Sequence, residues 1–125
     1  MKILWMVNVI LPSIADSIGC DRQPVGGWLI QLSEVLMQTE GLELSVVFPQ
    51  HVSKTLVTGK TKDACTYYGF PVKKAPALHY NRKEETLFKQ ILKTEKPDVL
   101  HIWGTEYIFS LEMFRAFGNP DKSVV

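Results

Sequence analysis

The stretch Lys96-Pro97-Asp98-Val99-Leu100-His101-Ile102-Trp103-Gly104-Thr105-Glu106-Tyr107 decides the fold. Pro97 cannot continue a helix, because its ring clashes with the preceding turn and it has no N–H to donate. Val99 to Trp103 is a short, nearly unbroken apolar run, the pattern of a strand buried on both faces of a parallel sheet. Gly104-Thr105 turns the chain, and Thr105 is placed to cap a helix that begins at Glu106. Helix, breaker, buried strand, turn and helix in succession mark an α/β unit.

The same grammar holds on either side. Asn81 is a good N-cap for a helix through Glu95, with Leu87, Phe88, Ile91 and Leu92 facing inward. After Glu106, the residues Tyr107, Ile108, Leu111, Phe114 and Phe117 give the next helix its apolar face, and Gly118-Asn119-Pro120-Asp121 stops it. Ser123-Val124-Val125 reads as the opening of a further strand. Near the N-terminus, residues 2–11 read as a buried strand and Ser13 to Val25 as a long polar loop. Gly26-Gly27 opens a helix whose buried face is Trp28, Leu29, Leu32, Val35 and Leu36. Gly41 ends that helix, and Leu42 to Phe48 forms a strand closed by Pro49. Val52 to Val57 reads as a short helix or an irregular connection, and Thr66 to Val72 as a short strand. The expected fold is a doubly wound, mostly parallel Rossmann-like α/β sheet, one domain over residues 1–125. Its stop three residues into a strand is that of a domain cut from a longer protein.

Composition narrows the function. A net charge of +1, with acids and bases mixed along the chain, supplies no basic face for nucleic acid. The densest basic stretches, Lys60–Lys62 and Lys73–Lys74, read as solvated surface. Cys20 and Cys65 are too far apart in sequence for a ligand pair and too few for a disulfide scaffold, which points to reduced thiols in a cytoplasmic protein. No apolar run approaches the length of about 20 residues that a membrane-spanning helix needs. His51 and His79 share no metal-ligand spacing, and no metal or cofactor is expected. The dinucleotide fingerprint GxGxxG and the phosphate-loop pattern GxxxxGK[ST] are both absent, against a nicotinamide dehydrogenase or a P-loop nucleotidase.

In an open parallel sheet, ligands collect beyond the carboxyl ends of the strands. Two loops carry suitable residues there. The first leads to Gly26-Gly27, where a helix N-terminus offers free N–H groups to an anion and glycines keep side chains out of the way; the same pair also serves a tight turn. The second runs from His101 to Glu106. His101 near its strand end reaches the cleft or is a satisfied core residue, and Trp103 and Tyr107 form a sugar-stacking wall or ordinary buried aromatics. Asp16, Asp21, Arg22 and Glu106 are the nearby groups able to bind hydroxyls or a phosphate.

The MKIL strand, the helix VGGWLIQLSEVL and the segment KPDVLHIWGTEY, in that order, resemble the retaining glycosyltransferases of family four, which have the two-lobed GT-B architecture. The resemblance implies the acceptor-side N-terminal lobe of an enzyme moving a sugar from a nucleoside diphosphate sugar to an acceptor hydroxyl with retention. Such an enzyme serves polysaccharide or glycolipid assembly in bacteria. It implies that Gly26 and Gly27 approach the donor diphosphate, that His101 is the candidate catalytic side chain lining the cleft, and that Asp16, Arg22, Trp103 and Glu106 meet the acceptor. Trp103 stands where the family has a second histidine; an indole can stack on a sugar but cannot act as an acid or base. The implied partners are the nucleotide sugar, a sugar or lipid-linked acceptor, and a C-terminal nucleotide-binding lobe missing from this chain, with peripheral membrane contact in the parent at the inner face of the membrane. The lobe alone is expected to fold without catalysing. A GT-B-like sugar-nucleotide epimerase and a stand-alone flavodoxin-like binding or interaction module are the competing expectations. An apolar face left open by truncation would favour oligomers.

Overall fold

The computed structural model describes residues 1–73 and 79–125. Within them the chain runs β1 (Lys2–Met6), α1 (Pro12–Ile18), α2 (Gly27–Gln38), β2 (Glu43–Gln50), β3 (Val57–Lys60), β4 (Thr66–Pro71), α3 (Arg82–Glu95), β5 (Val99–Ile102), α4 (Ile108–Phe117), a 3-10 turn (Pro120–Lys122) and β6 (Ser123–Val124). The strands form one sheet in the order β3-β4-β2-β1-β5-β6. All neighbours are parallel except β3, which pairs antiparallel with β4 at the edge. Counting only the parallel strands gives the order 3-2-1-4-5, the doubly wound arrangement of Rossmann-like sheets and not the 2-1-3-4-5 order of flavodoxin-like ones.

Alternation along the strands divides the core in two, because successive side chains point to opposite faces. Trp5, Val7, Val46 and Phe48 pack with Ile14 and Ala15 of α1 and Leu29 of α2. Leu4, Met6, Val47, Phe70, Leu100 and Ile102 pack on the other face with Phe88 and Ile91 of α3 and Phe109 and Met113 of α4. Phe88 is fully buried, edge-on to Phe70 with ring centroids 5.0 Å apart. Its truncation to alanine would cost about 3–5 kcal/mol. Glu95, in the last turn of α3, accepts hydrogen bonds from the hydroxyls of Ser45 and Tyr68 (the latter at 2.7 Å), tying α3 to β2 and β4. Gly69 of β4 has no room for a side chain, since a Cβ there would lie 2.8 Å from the Phe48 ring.

Several expectations change. β1 ends at Met6, five residues earlier than read, and the polar stretch after it holds the helix α1. Pro12 occupies the first turn of α1, where its missing N–H costs nothing, and Gly19 closes it at φ 73. β2 continues through Pro49, because pairing with β1 has ended by then: the last bond is from Val7 N–H to Val47 O. Val52 to Val57 contains no helix; the chain there bends into β3. α3 begins as read, with the Asn81 side chain accepting from the N–H groups of Lys83 and Glu84. α4 starts two residues late, with Tyr107 and not Thr105 as its N-cap. Its buried face is Phe109, Ser110, Glu112 and Met113, while Tyr107 and Leu111 are exposed. On α2, Trp28 and Val35 are exposed, and Leu29 and Ser33 are buried. Both cysteines are free thiols. Of the lysine pair 73–74, Lys74 lies outside the described residues.

Candidate functional site

The parallel strand order reverses between β1 and β5. The loops leaving the carboxyl ends of these two strands diverge to opposite faces of the sheet, which opens the crevice where doubly wound folds bind ligands. The Trp103 N–H donates to Met6 O at 2.8 Å, carrying the β1–β5 pairing one residue past β5. Beyond it the Asn8 amide donates to Glu106 Oε1 at 2.7 Å and bridges the two loops. Gly104 makes this possible. Its φ is +93, and a Cβ at this position would lie 2.6 Å from Glu106 Oε2.

Aromatic rings connect the crevice to α2. His101 sits on the α1–α2 side of β5, in register with Trp5 of β1 and Val124 of β6. Its ring stacks on Trp103, centroids 4.0 Å apart and planes 27° from parallel, and meets Trp5 edge-on at 6.3 Å. Trp103 in turn contacts Trp28 at 5.1 Å. Trp28 follows Gly26-Gly27 directly, so both expected loops reach one rim. His101 is half-buried, and the loss of solvent lowers its pKa from the ordinary value. Its ring makes no hydrogen bond among the described residues, and the buried Trp103 Nε1–H finds no acceptor among them either.

At the start of α2, Gly26 O accepts from the N–H groups of Leu29 and Ile30, which leaves those of Gly27 and Trp28 open among the described residues. No acidic side chain occupies this first turn. The helix dipole and the free N–H groups together favour an anion. The two glycines differ. A Cβ on Gly26 would lie 2.6 Å from Trp28 Nε1, so Gly26 lets the indole fold back; Gly27 has open space where a side chain would be.

Beside Glu106, a cleft of about 540 Å³ is bounded by Thr105, Glu106, Tyr107, Ser110, Leu111 and Val125, among others. The exposed Tyr107 ring there stacks on Phe109 at 5.0 Å. Asp16 and Arg22 lie elsewhere. They pair with each other through two bonds, 3.0 Å from Arg22 Nε and 2.6 Å from its terminal nitrogen, and Arg22 draws the Asp16 pKa down. Their hollow, about 400 Å³, runs along α2 to Asp63 in the β3–β4 turn, which precedes the amino end of β4. Rim and hollow share no residue. The structure thus gathers Gly26, Gly27, His101, Trp103 and Glu106, and separates Asp16 and Arg22 from them.

Two rim residues escaped the sequence reading. Asn8 fell within the run read as a buried strand, and Trp28 was assigned to the core. No cluster of three or more metal-ligating side chains exists among the described residues. No helix among them is long and apolar enough to cross a membrane. No protein-family model matches the chain, and neither a curated protein nor a solved structure matches it.

Proposed function

We propose that this chain is the acceptor-side lobe of a retaining GT-B-type glycosyltransferase, which moves a sugar from a nucleoside diphosphate sugar to an acceptor hydroxyl. The observation that carries the reading is the convergence on one rim of a helix N-terminus that no side chain caps, at Gly26-Gly27, the His101–Trp103 stack and the Glu106 carboxylate. The helix N-terminus suits a diphosphate, which bears the charge that grows as the donor bond breaks. The exposed Tyr107 ring suits the apolar face of a sugar ring, Glu106 and Asn8 suit its hydroxyls, and Trp103, packed between His101 and Trp28, backs the rim.

In this reading the protein's main contribution to the chemistry is placement. The sugar–phosphate bond breaks, the acceptor oxygen bonds to the anomeric carbon on the same face, and the acceptor proton passes to the departing phosphate. No side chain has to act as nucleophile. His101, its proton affinity reduced by burial, is largely neutral near pH 7 and serves as a hydrogen-bonding wall of the pocket. The nucleotide itself is held by a second lobe. The same surface would fit a sugar-nucleotide epimerase, and the product separates the two.

The test is sugar transfer by the full-length product of the gene, offered a panel of nucleoside diphosphate sugars with mono- and oligosaccharide acceptors. Transfer with a retained anomeric configuration supports the reading. Inversion, epimerisation of the donor, or inactivity with every donor rejects it.

A further inference from the structure

A second hollow, about 600 Å³, is lined by Tyr80, Arg82, Glu85, Thr86, Lys89 and Arg115, none of which belongs to the rim. Arg82, Glu85, Thr86 and Lys89 recur at three- and four-residue intervals and so share one stripe of α3. Arg115, from the last turn of α4, lies over the Tyr80 ring, 5.1 Å from its centroid. Lys89 pairs with Glu85 at 3.5 Å, whereas Arg82 and Arg115 make no ion pair among the described residues. Three cations therefore face one carboxylate, in a chain whose whole net charge is +1. The Tyr80 hydroxyl is buried beside the Glu85 carboxylate and Arg115, short of a well-formed hydrogen bond to either among the described residues. Two guanidinium groups with no ion-pair partner among the described residues, beside a hydroxyl able to turn toward them, make a place where oxygens of an anion belong.

We propose that this hollow binds a phosphate monoester, with the Arg82 and Arg115 guanidinium groups holding its oxygens and the Tyr80 hydroxyl donating to one of them. A phosphate monoester carries about −1.5 to −2 charges near pH 7, which matches the two arginines left over once Lys89 has neutralised Glu85. A single carboxylate would leave one of them unmatched. The planar guanidinium forks suit a tetrahedral oxyanion by bidentate contact, where lysines alone would give only point charges. The site does not depend on the sugar-transfer reading. Its phosphate comes from a soluble metabolite or from the headgroup of an acidic lipid, since both present the same chemistry.

The experiment is a titration of the ¹⁵N-labelled chain with glycerol 3-phosphate, against sodium chloride at equal ionic strength. It is run on the native chain and on Arg82→Ala, Arg115→Ala and Lys89→Ala. These three side chains are exposed, so at least one variant is expected to keep the fold. Saturable shifts at Tyr80, Thr86 and Arg115, weakened about tenfold or more in a folded arginine variant, are the expected result. Sedimentation with phosphatidylcholine vesicles that also contain phosphatidic acid, lost in the same variants, assigns the phosphate to a lipid; failure to sediment assigns it to a soluble ligand. Shifts no larger than those with chloride, or shifts that survive both arginine substitutions, overturn the proposal.

Discussion

Asn8 Nδ2 donates to Glu106 Oε1 across 2.7 Å, joining the loops that leave β1 and β5 where the strand order reverses. Both side chains are open to solvent on at least one side, so a ligand hydroxyl can replace either partner. Glu106→Gln keeps an oxygen acceptor for Asn8 and should leave stability nearly unchanged. Under the proposed sugar transfer, Glu106→Ala should lower kcat/KM for the acceptor by about tenfold to a hundredfold, the worth of a hydrogen bond to a charged group. Steady-state kinetics of the two variants check this.

The His101–Trp103 stack supplies an optical reporter. Protonated imidazole quenches a stacked indole, and burial holds the His101 pKa below its usual 6.5. Tryptophan emission of the chain should therefore titrate with a midpoint below 6.5, dimming as pH falls, and the transition should vanish in His101→Gln. A titration unchanged in that variant would assign the signal to another group.

Gly26 and Gly27 should respond differently to alanine. At Gly27 the Cβ enters open space, so the substitution should raise stability by about 0.4–1 kcal/mol through the unfolded chain. At Gly26 it collides with the Trp28 indole, which is exposed and can swing away, so the cost should show mainly as loss of the Trp28–Trp103 contact in near-ultraviolet circular dichroism. If a diphosphate approaches this helix end, both variants should weaken its binding, Gly27→Ala without any loss of fold.

The α3–α4 interface should make stability depend on pH. Glu112 is fully buried; one of its oxygens accepts from the Asn81 N–H at 2.6 Å and the other has no donor among the described residues. The Glu84 carboxyl beside it is pushed up to about 8, first by burial and then by the hydrogen bond and charge of Glu112. A shared proton answers both facts. Because the folded state holds this proton more tightly than the unfolded one, its contribution is complete below about pH 4.5, declines above that, and is gone above about pH 8. Urea midpoints measured from pH 5 to 9 should fall more steeply for the native chain than for Glu84→Gln. Equal slopes would contradict the shared proton.

How much of this the sequence disclosed depends on where local and tertiary demands agree. α3 was legible because its cap, Asn81, and its inward residues, Phe88 and Ile91, all obey helical rules. α4 was misphased because its packing against α3 and the loop after β5 buries Glu112 and Ser110, held by the Asn81 N–H and by Gly104 O, while Leu111 and Tyr107 line an open cleft. Apolar periodicity alone cannot foresee a buried carboxyl whose partners come from another element. α1 was hidden for a similar reason: Ser13, Asp16 and Ser17 face outward and mask the short Ile14–Ala15 contact. At the site, the rule that ligands gather beyond the carboxyl ends of parallel strands singled out the loops of Gly26-Gly27 and His101, which the Trp28–Trp103 contact joins. The Asp16–Arg22 pairing was not legible, because six residues of sequence do not reveal that two charges will satisfy each other.

The central claim is that the rim between β1 and β5 is where the sugar and its diphosphate lie. Amide and indole N–H shifts of the labelled chain during titration with uridine diphosphate glucose and with methyl glucoside test it most directly. The expected result is saturable movement of the Gly27 and Trp28 amides with the nucleotide sugar, and of the Trp103 indole and Glu106 amide with the glucoside. No movement at these four groups with either compound, or movement confined to residues remote from the rim, would contradict it.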